Sequence, residues 1–135
     1  MGAERVLVDT SVWIDALRGG AALEQLRPLI LTGQALLPSP VATELLCGSR
    51  PGKDRAAVET LLQSCPAAVP EADDYRAAGL VGASLRRRGI TVGTVDLILA
   101  AVALRLPVPV WSFDAHFQAM ARHGGLKLFE PRSPS

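Results

Sequence analysis

Four carboxylates spread widely along the chain are the residues best suited to chemistry: Asp9, Glu44, Asp96 and Asp114. Acids brought together without a cation repel, and some must bind protons. With one or two divalent ions the cluster is neutralised, and it can polarise a phosphate while activating water for in-line attack. Oxygen ligands without cysteine or clustered histidine select Mg²⁺, with Mn²⁺ able to substitute, over zinc. Each acid also has an everyday reading. Asp9 and Asp114 follow strand-like runs, where Asp is a favoured helix N-cap. Glu44 shares a helix face with Val41, Leu45 and Gly48, and an unpaired charge on an apolar face is costly. An ion pair with Arg50, or an exposed side of a short helix, would account for it. Asp96 is the only acid in the apolar run Val95–Leu106. Its first-turn position suits the helix dipole, yet its surroundings aim it at a cleft.

The elements that must position these acids are legible from periodicity and punctuation. Strands are expected at Arg5–Val8, Ala35–Leu37, Ala67–Val69, Val108–Phe113 and Leu126–Phe129. Helices are expected at Ser11–Arg18, Ala21–Leu31, Val41–Cys47, Lys53–Gln63, Glu71–Arg88, Val95–Leu106 and Asp114–His123. Ser39–Pro40 reads as a capping hydroxyl before a first-turn proline, and Thr94 as the cap of the apolar helix. Short apolar strands separated by helices mean parallel pairing with helices on both faces. Ligands in such folds gather outside the carboxyl ends of the strands, which is where Asp9 and Asp114 fall.

Composition sets the outer limits. A chain of 135 residues suits one domain, and 49% hydrophobic content supplies a core and excludes wholesale disorder. Aromatics are 4%, so Leu, Val, Ile and Ala must fill it. The formal charge is +1, from 14 basic and 13 acidic residues, so any nucleic-acid role depends on a local site. No signal peptide or membrane-spanning run is expected. Two cysteines, Cys47 and Cys65, give neither a disulfide framework nor a CxxC pair. A reduced, cytoplasmic protein with a polar tail from about residue 130 is the natural expectation.

The stretch Val8–Asp9–Thr10–Ser11–Val12–Trp13–Ile14–Asp15 resembles the opening signature of PIN domains. Glu44 in its apolar helix, Asp96 in Thr94–Ala101 and Asp114 in Ser112–Phe117 are similar to the family's other acidic positions. The likeness runs from about Val6 to about Phe129, and the small size looks like VapC-type toxins. The resemblance implies an α/β, three-layer α/β/α sandwich with a central five-stranded parallel sheet. It implies an acidic metal pocket of Asp9, Glu44, Asp96 and Asp114, with Thr10, Ser11 and Ser112 supplying orienting hydroxyls. It further implies a Mg²⁺-dependent endoribonuclease, the toxin of a type II toxin–antitoxin system, with an RNA substrate, homodimers and a cognate antitoxin. Many relatives carry another Asp two positions after the one matching Asp114; here that place is His116, which puts a second metal in doubt. Asp15 is similar to an accessory helix acid in some members.

Arg50, Lys53, Arg86 and Arg87 are candidate RNA contacts, because phosphate binding recruits such side chains; cations at a helix end are favoured by the dipole in any case. Trp13, Trp111 and Tyr75 read as packing. Two rivals differ in class. A receiver or dehalogenase-like phosphatase would use an aspartyl phosphate, but receivers want an acidic pair after the first strand and a late lysine, and the phosphatases a second Asp near Ser11. A non-catalytic PIN-fold interaction module would keep the fold and lose the metal, and His116 is its best support.

Overall fold

A computed structural model describes residues 4–131. The first strand, β1 (Val6–Val8), is buried throughout and ends at Asp9. It leads into α1 (Thr10–Leu17), α2 (Ala22–Leu31) and β2 (Ala35–Pro38). Next come α3 (Ser39–Cys47), α4 (Lys53–Ser64), β3 (Ala67–Ala68), α5 (Ala72–Arg87), α6 (Thr94–Arg105), β4 (Val110–Trp111) and α7 (Ala115–Gly124). All strands pair in parallel in the order β3-β2-β1-β4, with Leu7 opposite both Leu36 and Val110. Because β2 and β4 lie on opposite sides of β1, the chain reverses its direction of travel across the sheet there. The carboxyl ends of β1 and β4 therefore open the crevice that such sheets use for ligands.

Right-handed crossovers fix the layers. Steps from β1 to β2 to β3 run one way and put α1–α4 on one face; the return to β4 puts α5 and α6 on the other. Contacts agree: α1 meets α2 and α3, α3 meets α4, while α6 meets α5 and α7. One core joins both faces. It contains Leu7, Trp13, Leu26, Leu36, Leu99 and Phe117, and Leu97–Ala103 of α6 is buried at every position. Trp13 donates its indole N–H to the Val8 carbonyl at 3.0 Å, which ties α1 to the strand that precedes it.

Several expectations need correction. The sheet has four strands among the described residues, not five. The fifth segment contributes only a parallel bridge between Leu128 and Val110, held by Val110 N donating to Lys127 O and Phe129 N donating to Val110 O. Too few residues align there to make a strand. The fourth strand shrinks to Val110–Trp111; Pro109 interrupts the expected run and has no N–H to donate. Gly93, not Thr94, is the N-cap of α6, and Ser39 is the first residue of α3 with no side-chain cap bond. Tyr75 is 53% exposed rather than packed, whereas Trp13 and Trp111 are buried. Of the polar tail, residues 132–135 lie outside the described residues. No helix among the described residues is long and apolar enough to cross a membrane.

Candidate active site

Asp9 and Ser112 follow directly on paired strand ends. Val8 sits opposite Trp111, and Asp9 N donates to the Trp111 carbonyl at 2.9 Å. The next residue of β4's chain thus lies beside Asp9, and Ser112 Oγ donates to Asp9 Oδ2 at 2.7 Å. Ser11 Oγ donates to the same oxygen at 2.9 Å, and Asp9 is only 4% exposed. Two hydroxyls therefore hold one carboxylate oxygen of a nearly buried acid, and among the described residues no hydrogen bond takes up the other, Oδ1. Ser11 Oγ also accepts from Phe113 N at 3.0 Å, and Ser112 Oγ from Asp114 N at 3.0 Å. The β1–α1 and β4–α7 turns are knitted into one unit by side chains.

The other acids arrive from separate elements. Glu44, on α3, accepts from Thr10 Oγ1 at 2.8 Å, and no ion pair with Arg50 forms among the described residues. Asp114 is the N-cap of α7 and accepts from His116 N at 2.9 Å. Asp9 likewise caps α1. Capping and convergence are thus both true of the same two residues. Asp96 stands in the first turn of α6 with its side chain 22% exposed. Burial, followed by the charges of Asp9 and Asp114 and more weakly Glu44, pushes its carboxyl up to about 6, while His116 pulls the other way. Fields from all three other acids thus reach Asp96. His116 Nδ1 lies 3.2 Å from Asp114 Oδ1 and 4.0 Å from Asp96 Oδ2.

Not every candidate joins this group. Asp15 accepts from Ala22 N at 2.9 Å and so pins the start of α2 instead. Arg50 is exposed in the α3–α4 connection and Lys53 at the start of α4, beside a groove of about 210 Å³ lined by Ile14, Leu17, Glu44, Leu45, Asp54 and Val58. Arg86 and Arg87 end α5 and are exposed; Arg86 borders a hollow shared with Thr94 and Leu97 of α6. The residue that sequence reasoning passed over is Phe113, 58% exposed between Ser112 and Asp114 and set edge-on to Trp111. An aromatic interleaved with site residues was the available signal.

Acids gathered at the carboxyl edge of a parallel sheet, with Asp9 and Glu44 oriented by hydroxyls and Asp114 by an amide, form a centre able to hold a divalent cation against a phosphate ester. The PIN domain family model matches residues 6–123, and the chain belongs to that family. Its affinity within the family is with the VapC ribonucleases. Ribonuclease VapC11 of Mycobacterium tuberculosis and a VapC ribonuclease of Mycobacterium bovis are each 32% identical over 123 residues, 87% of this chain and 92% of the relative. The fold recurs in the DNA-bound VapBC of Salmonella typhimurium, with a TM-score of 0.76 at 20% identity over 94% of this chain and 98% of that one. It recurs in VapC20 of Mycobacterium tuberculosis, described as a Sarcin-Ricin loop cleaving toxin, with a TM-score of 0.68 at 20% identity over 93% and 99%.

Proposed function

We propose that this protein is a metal-dependent endoribonuclease, the toxin of a type II toxin–antitoxin pair, whose single domain hydrolyses RNA phosphodiester bonds at Asp9, Glu44, Asp96 and Asp114. Asp96 carries this reading. A carboxyl pushed up to about 6 by burial and by three neighbouring acids, with His116 pulling only partly the other way, marks concentrated negative charge, and a divalent ion is the partner that fits an oxygen-rich set. Mg²⁺ suits such donors, and Mn²⁺ can replace it. When bound, the ion neutralises the acids, polarises a phosphoryl oxygen and acidifies water beside it.

The chain's own residues do the rest. Ser11 and Ser112 fix Asp9 in one orientation, and Thr10 does the same for Glu44. The α7 backbone holds Asp114. Such preorganisation spares the site reorganisation when charge develops on the phosphate. Phe113 offers an exposed ring on which an unpaired base could stack, and Arg50, Lys53, Arg86 and Arg87 offer cations for the flanking phosphates. The names of the relatives favour an RNA substrate and an antitoxin partner. A cytoplasmic homodimer is the state in which we expect the toxin to work. Cleavage of an RNA panel tests the activity. Asp9→Asn and Asp96→Asn should each lose about a hundredfold or more, the scale of removing one electrostatic stabiliser, and EDTA should abolish cutting. Undiminished cleavage by either variant or by the chelated enzyme would sink the assignment.

A further inference from the structure

We propose that His116 is a ligand of the cation, so that Asp96, Asp114 and the His116 imidazole form a mixed oxygen–nitrogen site that prefers Mn²⁺ to Mg²⁺. This rests on the reading above that the acidic site holds a divalent ion. Asp96, Asp114 and His116 each offer one donor atom, and the three atoms lie within 4.8 Å of one another. For bonds of about 2.1 Å, neighbouring ligand atoms around an ion sit about 3.0 Å apart and opposite ones about 4.2 Å. The 3.2 Å between His116 Nδ1 and Asp114 Oδ1 matches a neighbouring pair, and the 4.0 Å to Asp96 Oδ2 falls within the same shell.

Local structure explains the approach. Asp114 caps α7 by accepting from His116 N, and this bond across two residues brings the His116 side chain back beside the carboxylate it helps to fix. Those two carboxylates are the polar groups its ring meets among the described residues. The chain's other histidine, His123, instead lies 3.3 Å from an Arg88 nitrogen, an ordinary surface arrangement. Coordination at His116 costs little desolvation, because its side chain is 47% exposed. Imidazole is a poor ligand for Mg²⁺, which favours oxygen and keeps its waters, whereas Mn²⁺, although also suited to oxygen donors, accepts nitrogen more easily than Mg²⁺ does. Histidine in this place therefore shifts ion choice.

The metal-free full chain, His116→Asn and His123→Asn would be titrated with Mn²⁺ and with Mg²⁺ by calorimetry. Electron spin-echo spectra of the Mn²⁺-loaded proteins would report a directly bonded ¹⁴N. We expect nitrogen coupling in the wild type and in His123→Asn, and none in His116→Asn. His116→Asn should weaken Mn²⁺ at least about tenfold and Mg²⁺ far less. Mn²⁺ binding without nitrogen coupling, or equal weakening of both ions, would overturn the ligand role and leave the acidic metal site standing, with His116 reduced to an ion pair. If wild type binds neither ion at millimolar concentration, the metal site itself is overturned. The wild-type spectrum decides the ligand role even if a variant folds poorly.

Discussion

Asp96 shows what a functional residue does to the molecule that carries it. Its carboxyl sits at about 6 in the folded chain against an ordinary 3.8. Between those values the folded state holds the proton more tightly than the unfolded one. Ionised Asp96 therefore costs stability above pH 6, and that cost fades as the pH falls toward 4. Asp96→Asn should accordingly stabilise the metal-free protein at pH 7.5 by about 1 kcal/mol, a figure discounted for solvent screening at a partly exposed site. At pH 4 the gain should have nearly gone. Urea melts in EDTA at both values check this, and a variant no more stable than wild type at pH 7.5 contradicts it. One substitution would then remove activity while strengthening the fold, as expected where a site is held against repulsion.

Pairs of elements set how accurately α6 presents Asp96. At its carboxyl end, Arg105 makes a forked contact with Asp74, whose oxygens lie 3.0 Å from Nε, and reaches the Val69 carbonyl at 3.2 Å. Asp74 is also half of the capping box with Glu71 that starts α5, and Arg105 holds its carboxyl below the usual range. One guanidinium thus locks the end of α6 to the beginning of α5. Nearer the site the two helices approach closely because Gly82 has no side chain: a Cβ there would lie 2.7 Å from Leu97 Cδ1. Gly82→Val should cost about 1–3 kcal/mol through overpacking against a buried Leu97. Gly79→Ala, where a Cβ meets nothing within 4 Å, should gain up to about 1 kcal/mol of helix propensity. Chemical denaturation of the two variants separates these outcomes, and equal effects would mean that the helix contact is not what Gly82 provides.

At the scale of the whole molecule, a nearly neutral chain gathers several acids in one crevice. With a formal charge of +1, global attraction for RNA is weak, and the acidic crevice would repel a phosphate until a cation enters it. Cation binding should therefore stabilise the fold by linkage. Mn²⁺ at a hundredfold over its dissociation constant adds about 2.7 kcal/mol, a rise in melting temperature of several degrees for a domain of this size. The increment should shrink below about pH 6, because Asp96 must release its proton to bind metal. Thermal melts with and without Mn²⁺ at pH 7.5 and pH 5 measure both effects, and a shift independent of pH would exclude Asp96 from the ion.

The sequence by itself determined the local facts. Alternating short apolar runs and helical periods fixed an α/β order with parallel strands, because side-chain period and punctuation are properties of neighbouring residues. The positions of Asp9 and Asp114 after strands were legible for the same reason, as was the oddity of Asp96 in an apolar helix. Tertiary structure alone decided what those residues meet. Asp9 and Ser112 are distant in sequence, and only the register of β1 against β4 makes them hydrogen-bonded neighbours. The shortfall at the fifth strand, the edge-on exposure of Phe113 and the turn of His116 toward two acids likewise depend on long-range packing. Hydrogen-bond length and electrostatic strength follow separation in space, and the folded chain sets that separation for residues that the sequence keeps far apart.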